Sequence, residues 1–208
     1  MKGLLLKDWY QVKTNMRMMY LTVLAVLAIW ILSTSGDSSF AVDYSAVFLG
    51  IMPAYLLSYD HASGWTEYSF ALPLSKELQV AEKYLVGLLC TAVSAALNGI
   101  FCGILFWMGK PLPAMPIGLL LGAGAASILL INGIMLPLYY RFGAEKARML
   151  YMLMFAGMGA ALGGGMVLMD AVPELGAAIA IVGVLAAALV LYALSWRVSV
   201  AWYGKYKK

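Results

Sequence analysis

The chain has 208 residues, 63% of them hydrophobic and 12% charged, with a formal net charge of +4. Soluble globular proteins carry about 25% charged residues, so this composition excludes water as the main solvent. A bilayer core about 30 Å thick takes roughly 20 apolar residues per helical crossing, which allows roughly five to seven crossings and no soluble catalytic domain. The basic excess lies at the ends of apolar segments, where it orients helices, so nucleic acid is not an expected partner.

The opening is amphipathic. Leu5, Leu6, Trp9, Val12 and Met16 fall within about 120° of a helical wheel, with Lys7, Asp8, Gln11, Thr14 and Asn15 on the other side. This predicts a helix over 1–16 lying in the membrane interface, with Lys2 and Lys13 snorkelling at its boundary. A compact apolar run and a small-residue cleavage site are both missing, so a removable signal peptide is not expected and the mature chain should begin near Met1.

Six apolar runs follow, at 18–32, 42–57, 85–108, 117–138, 149–169 and 175–196. Of the fourteen Lys and Arg, thirteen fall before the first run, in alternate connections, or after the last; Lys110 alone lies in the opposite set. That asymmetry predicts six crossings with both termini cytoplasmic. The connections at 33–41, 109–116 and 170–174 are too short to fold as external domains, and 59–84 is the longest stretch outside the membrane. One domain over 1–208 is therefore expected, an all-α integral membrane fold.

Within 59–84, Trp65, Tyr68 and Leu72 line one side of a short predicted helix stopped by Pro73, and a second helix is capped by Ser75 with Glu77 in its first turn. A short amphipathic helix with large aromatics suits docking into a groove on a soluble partner; the same pattern also permits a helix on the lipid surface.

Three segments carry a resemblance. The run from Tyr59 and Asp60 through Ser63, Gly64, Trp65 and Tyr68 continues to Leu72-Pro73-Leu74-Ser75-Lys76 and Glu82-Lys83-Tyr84. With the opening Met1-Lys-Gly-Leu-Leu-Leu-Lys-Asp-Trp and the stretch from Pro137 to Arg148, it resembles small permeases of ABC-2 type transporters, including membrane subunits that export phenol-soluble modulins and related peptides. The resemblance implies a permease in the bacterial cell membrane that pairs with a second copy and docks cytoplasmic ATPase subunits through its second cytoplasmic segment. It assigns docking to Ser63, Gly64, Trp65, Tyr68, Leu72, Pro73 and Ser75, and amphipathic peptides or other lipophilic molecules as cargo. His61 stands where the family usually has an acid, and Lys76 stands where it has Arg; Lys lacks the bidentate guanidinium fork.

Other chemistries lack their residues. Gly103 to Lys110 has one residue too many for a phosphate-binding loop and is followed by Pro111, so ATP and magnesium are expected in a partner subunit and no cofactor in this chain. The cores of the six runs hold no Asp, Glu, His or Arg for ion coupling, and Asp43 and Asp170 sit at predicted span ends. Asn98 and Asn132 are expected to hydrogen-bond between helices. His61 is the sole histidine, which removes paired-His metal sites and Ser-His arrangements. Cys90 and Cys102 lie twelve positions apart, about 120° around a helix, and predict no disulfide. The pairs Gly118/Gly122 and Gly159/Gly163 suit close helix contact, and the methionines of the fifth run suit gap filling or varied apolar cargo. A stand-alone channel, a secondary carrier, and a membrane sensor or immunity partner are the alternatives to the exporter subunit.

Overall fold

The computed structural model describes residues 2–33, 38–113, 116–169 and 174–203, side chains at 144, 148, 151 and 154–180 excepted. Seven helices make up the described chain: α1 Lys2–Asn15, α2 Arg17–Leu32, α3 Ser39–Ala62, α4 Trp65–Ser69, α5 Lys76–Trp107, α6 Ile117–Met169 and α7 Glu174–Trp202. No strand occurs among the described residues.

Four segments are long and apolar enough to cross a bilayer: Ser39–Ala62, Lys76–Trp107, Ile117–Gly143 and Ile181–Trp202. The pair α1 and α2, bent by 67°, makes a fifth if it is one span. The run expected at 149–169 lies in the second half of α6, where the described side chains end at Leu153. Met149 and Met152 there are exposed; the run's later methionines and the pair Gly159/Gly163 lie outside the described side chains.

The bend between α1 and α2 has a packing cause. Met16 is buried at the elbow in a cluster with Met52, Leu56, Val86 and Cys90, and Leu5 and Val12 pack against it. The two sides of α1 divide differently from the sequence expectation. Leu6, Trp9 and Tyr10 are exposed, whereas Asp8 is buried and Lys7 and Gln11 turn inward to the end of α3. The part of the polar side formed by Lys7, Asp8 and Gln11 meets protein, while Thr14 and Asn15 stay exposed.

Buried amides tie the spans together as expected of polar groups in a medium without water. The Ser45 hydroxyl on α3 donates to Asn98 Oδ1 on α5 at 2.7 Å, and Asn132 Nδ2 on α6 donates to the Gly50 carbonyl on α3 at 2.9 Å. A further seam joins α5 to α7, where the Tyr84 hydroxyl lies 2.6 Å from Ser195 Oγ and 2.8 Å from Ser199 Oγ. Tyr192 donates to the Tyr84 carbonyl at 2.6 Å, and a Cβ on Gly87 would come within 2.3 Å of that same Tyr192 hydroxyl. Gly87 is thus the close-contact glycine of this seam. Of the expected pair Gly118/Gly122, a Cβ on Gly122 would meet Ile181 on α7 at 3.5 Å, and one on Gly118 would meet nothing within 4 Å among the described residues. Cys90 and Cys102 are both free and buried.

At the opposite end from the elbow, Lys110 donates to the carbonyls of Ile31 and Ser33, the latter at 2.8 Å. A cation there satisfies acceptors that the C-terminus of α2 leaves open.

Helix α6 is broken at Gly143, whose φ of 78° and ψ of 175° lie outside the helical region. That conformation is essentially restricted to glycine, and forcing a side chain into it costs about 1–3 kcal/mol. Gly143→Ala is therefore expected to lower the melting temperature of the detergent-solubilised protein. A melting curve that superimposes on the native one would show that the break does not depend on glycine.

Candidate functional site

The segment between α3 and α5 is built from local signals. Ser63 N–H donates to the Tyr59 carbonyl at 2.9 Å and closes α3, and Gly64 follows at φ 72°, the left-handed turn that ends helices. Helix α4 then runs for five residues only. Its last residue, Ser69, donates its hydroxyl to the Thr66 carbonyl at 2.8 Å, while its own carbonyl accepts from Gln79 Nε2 at 3.2 Å. These bonds turn the chain before Pro73, so the helix is shorter than the sequence predicts and Leu72 lies beyond it. Ser75 caps α5, accepting from the Leu78 N–H at 3.3 Å.

Beneath α4 lies a group of five charged side chains brought from three helices. Lys83 Nζ on α5 is 2.7 Å from Asp8 Oδ1 on α1 and 2.7 Å from Asp60 Oδ2 on α3. Lys7 Nζ on α1 is also 2.7 Å from Asp60 Oδ2 and 3.1 Å from Asp8 Oδ1. Glu82 stands 3.7 Å from Lys83 and 3.8 Å from Lys7, with no hydrogen-bond partner for its Oε1. Gln11 donates to Asp60 Oδ1 at 2.9 Å. The side chains of Lys83, Asp8, Asp60 and Glu82 are at most 4% exposed. Desolvation costs several kcal/mol per buried ion unless it is paired and hydrogen-bonded, a condition that Lys83, Asp8 and Asp60 meet and that Glu82 meets only through its longer contacts to the two lysines. The mutual contacts of α1, α3 and α5 are thereby fixed in geometry.

Two aromatic contacts extend this group to α4 and α7. Lys7 Nζ lies 4.7 Å from the centroid of the Trp65 ring, a cation–π contact that joins α1 to the first residue of α4. Tyr203, just past α7, places its hydroxyl 3.3 Å from Ser69 Oγ, donates to Gln79 Oε1, and packs its ring 5.3 Å from Phe70. Burial raises the Tyr203 pKa above its ordinary value, against the opposing hydrogen bond with Ser69, so the phenol remains a neutral donor. A cavity of about 90 Å³ marks where Leu4, Trp65, Glu82, Tyr140, Gly143 and Tyr203 converge. Five elements therefore meet below α4: α1, α3, α5, the break in α6, and the end of α7.

The outer surface is different. Ser63, Tyr68, Pro73 and Ser75 are exposed, while Gly64, Trp65 and Leu72 are half-buried. The Trp65 ring packs at a tilt 5.6 Å from Tyr68 and so links the exposed face to the charges below. Among the described residues, no group of three or more His, Cys, Asp or Glu is placed to hold a metal ion.

A family model described as ABC-2 family transporter protein matches residues 3–204. The chain belongs to this family. No curated protein and no solved structure matches it. As an ABC-2 family protein it is a multi-pass membrane permease subunit of an ABC transporter. The match extends over nearly the whole chain, including the five charged residues and the exposed segment alike. The sequence pattern of this ABC-2 permease singles out Ser63, Tyr68, Pro73 and Ser75, which are exposed, and Gly64, Trp65 and Leu72, which are half-buried, but gives no role to Lys7, Asp8, Asp60, Gln79, Glu82, Lys83 or Tyr203. A signal was present. The charged side of the first amphipathic helix and the acidic and basic residues at both ends of 59–84 carry opposite charges in nearly equal number.

Proposed function

We propose that the chain is the permease of an exporter whose separate ATPase subunits bind ATP and magnesium and dock on Ser63, Gly64, Trp65, Tyr68, Leu72, Pro73 and Ser75. Exposed aromatic and turn residues at the tip of a segment anchored by buried ion pairs carry this reading. A partner that moves Tyr68 moves α1, α3 and α5 with it, because coupling between distant sites travels through packed, hydrogen-bonded elements. The cargo is an amphipathic peptide or another lipophilic molecule, moved between two copies of the permease in a bacterial cell membrane.

Six crossings with both ends cytoplasmic belong to the same proposal. Gly143 and Tyr203 line one cavity, which supports an even number of crossings between them, the second half of α6 and then α7. Lys110 bonds to Ile31 and Ser33, which supports placing its connection beside the far end of α2.

Copurification of the full chain with its ATPase in lipid tests the docking face. Interface anchors of this kind are worth at least about 2 kcal/mol each, so Trp65→Ala with Tyr68→Ala is expected to weaken ATPase association by more than about thirtyfold. Association unchanged in a folded double variant removes the docking assignment and favours the sensor or channel reading.

A further inference from the structure

A groove of about 340 Å³ runs between the α1–α2 elbow and α3. On α3 it is lined by Phe48, Ile51, Tyr55 and Tyr59, spaced by three and four residues and so on one helix face. At 1.5 Å per residue, the eleven steps from Phe48 to Tyr59 cover about 16 Å. Half of a bilayer core is about 15 Å thick. The groove is therefore as long as one leaflet is deep.

Its lining is graded. Asn15 and Tyr59 lie at the elbow end, where α1 leaves the bundle, and Phe48 and Ile51 lie deeper. Arg17, between the lining residues Met16 and Met18, and Lys13, two residues before Asn15, are both exposed and make no ion pair among the described residues. A largely apolar groove one leaflet long, whose lining residues Asn15, Met16 and Met18 are flanked in the chain by the exposed cations Lys13 and Arg17, is complementary to an acyl chain beneath an anionic headgroup. The volume falls in the range of ordinary ligand pockets, about 300–1,000 Å³.

We infer that the groove between the elbow and α3 binds a phospholipid of the surrounding bilayer, one acyl chain along Phe48 to Tyr59 and an anionic headgroup on Lys13 and Arg17. The site holds a lipid whether or not an ATPase docks on Tyr68. A basic side chain at the membrane surface favours anionic over zwitterionic lipid by roughly fivefold, so the pair selects by about thirtyfold.

Native mass spectrometry of the full chain, released from nanodiscs of phosphatidylethanolamine with a minority of phosphatidylglycerol, tests this. The native protein is expected to retain a phosphatidylglycerol. Ile51→Trp and Thr22→Trp, the second at an exposed lining position that tolerates bulk, each fill the groove and should abolish retention. Ile134→Trp, at a comparably exposed apolar position on α6, should leave retention unchanged. Lys13→Gln with Arg17→Gln should keep a bound lipid while losing the preference for phosphatidylglycerol. Retention that survives both groove-filling variants, or that falls equally with Ile134→Trp, overturns the site. So does loss of a permease dimer on filling the groove with no retained lipid in the native protein, because a second copy then occupies it.

Discussion

Lys83→Met is expected to be the most destabilising single change in the protein, at about 3–5 kcal/mol, the usual cost of removing one partner from a buried ion pair. Lys83 is 2% exposed and is the cation closest to Asp8, with Asp60 shared between it and Lys7. Without it, three buried carboxylates face Lys7 alone. Stabilities of folded domains are about 5–15 kcal/mol, so the loss should appear as poor accumulation and early aggregation in a detergent melting series. Combining Lys83→Met with Asp8→Asn returns the group to its native charge balance and should recover part of the loss, since residues in one network couple by about 0.5–3 kcal/mol. A single variant that melts with the native protein, or a double variant whose losses simply add, contradicts this account.

The helices were legible from the sequence because apolar runs and basic flanks have one reading in a membrane. Asn98 and Asn132 were legible for the same reason: an amide in hydrocarbon needs a partner, and another helix is the nearest source. The ends of the helices were less so. The start of α5 at Lys76 was legible from the Ser75 cap, but α3 continues past its apolar run to Ala62. That extension carries Asp60, a charge that periodicity assigns to a loop until it is seen to pair with Lys83. The wheel correctly placed Lys7, Asp8 and Gln11 on one side of α1. Which way that side faces depends on Asp60 and Lys83, more than forty residues distant in the chain, and no local pattern contains that information. The short helix α4 and the turn after it, by contrast, were legible from Trp65, Tyr68 and Pro73, since those signals are contained within a dozen residues.

Lys7→Met separates docking from coupling. The Lys7 side chain is 18% exposed, and its removal leaves Asp60 bonded to Gln11 at 2.9 Å and to Lys83 at 2.7 Å, so the fold should tolerate the change far better than loss of Lys83. What disappears is the contact between α1 and the Trp65 ring, together with the Lys7–Asp60 ion pair, while Gln11 still joins α1 to Asp60. The exposed face around Tyr68 stays intact. The ATPase should therefore copurify with this variant about as well as with the native chain, while the response of its turnover to the lipid-embedded permease falls. Coupling free energies of about 1–3 kcal/mol correspond to roughly 5- to 150-fold, and one lost contact places the expected fall near fivefold. Lys7→Arg should restore most of it, because a guanidinium can pair with Asp60 and stack on Trp65 at once. If Lys7→Met instead loses ATPase association in proportion to turnover, the buried charges shape the docking surface and do not transmit its movement; if Lys7→Arg fails to recover the response, the contact with Trp65 is not the route.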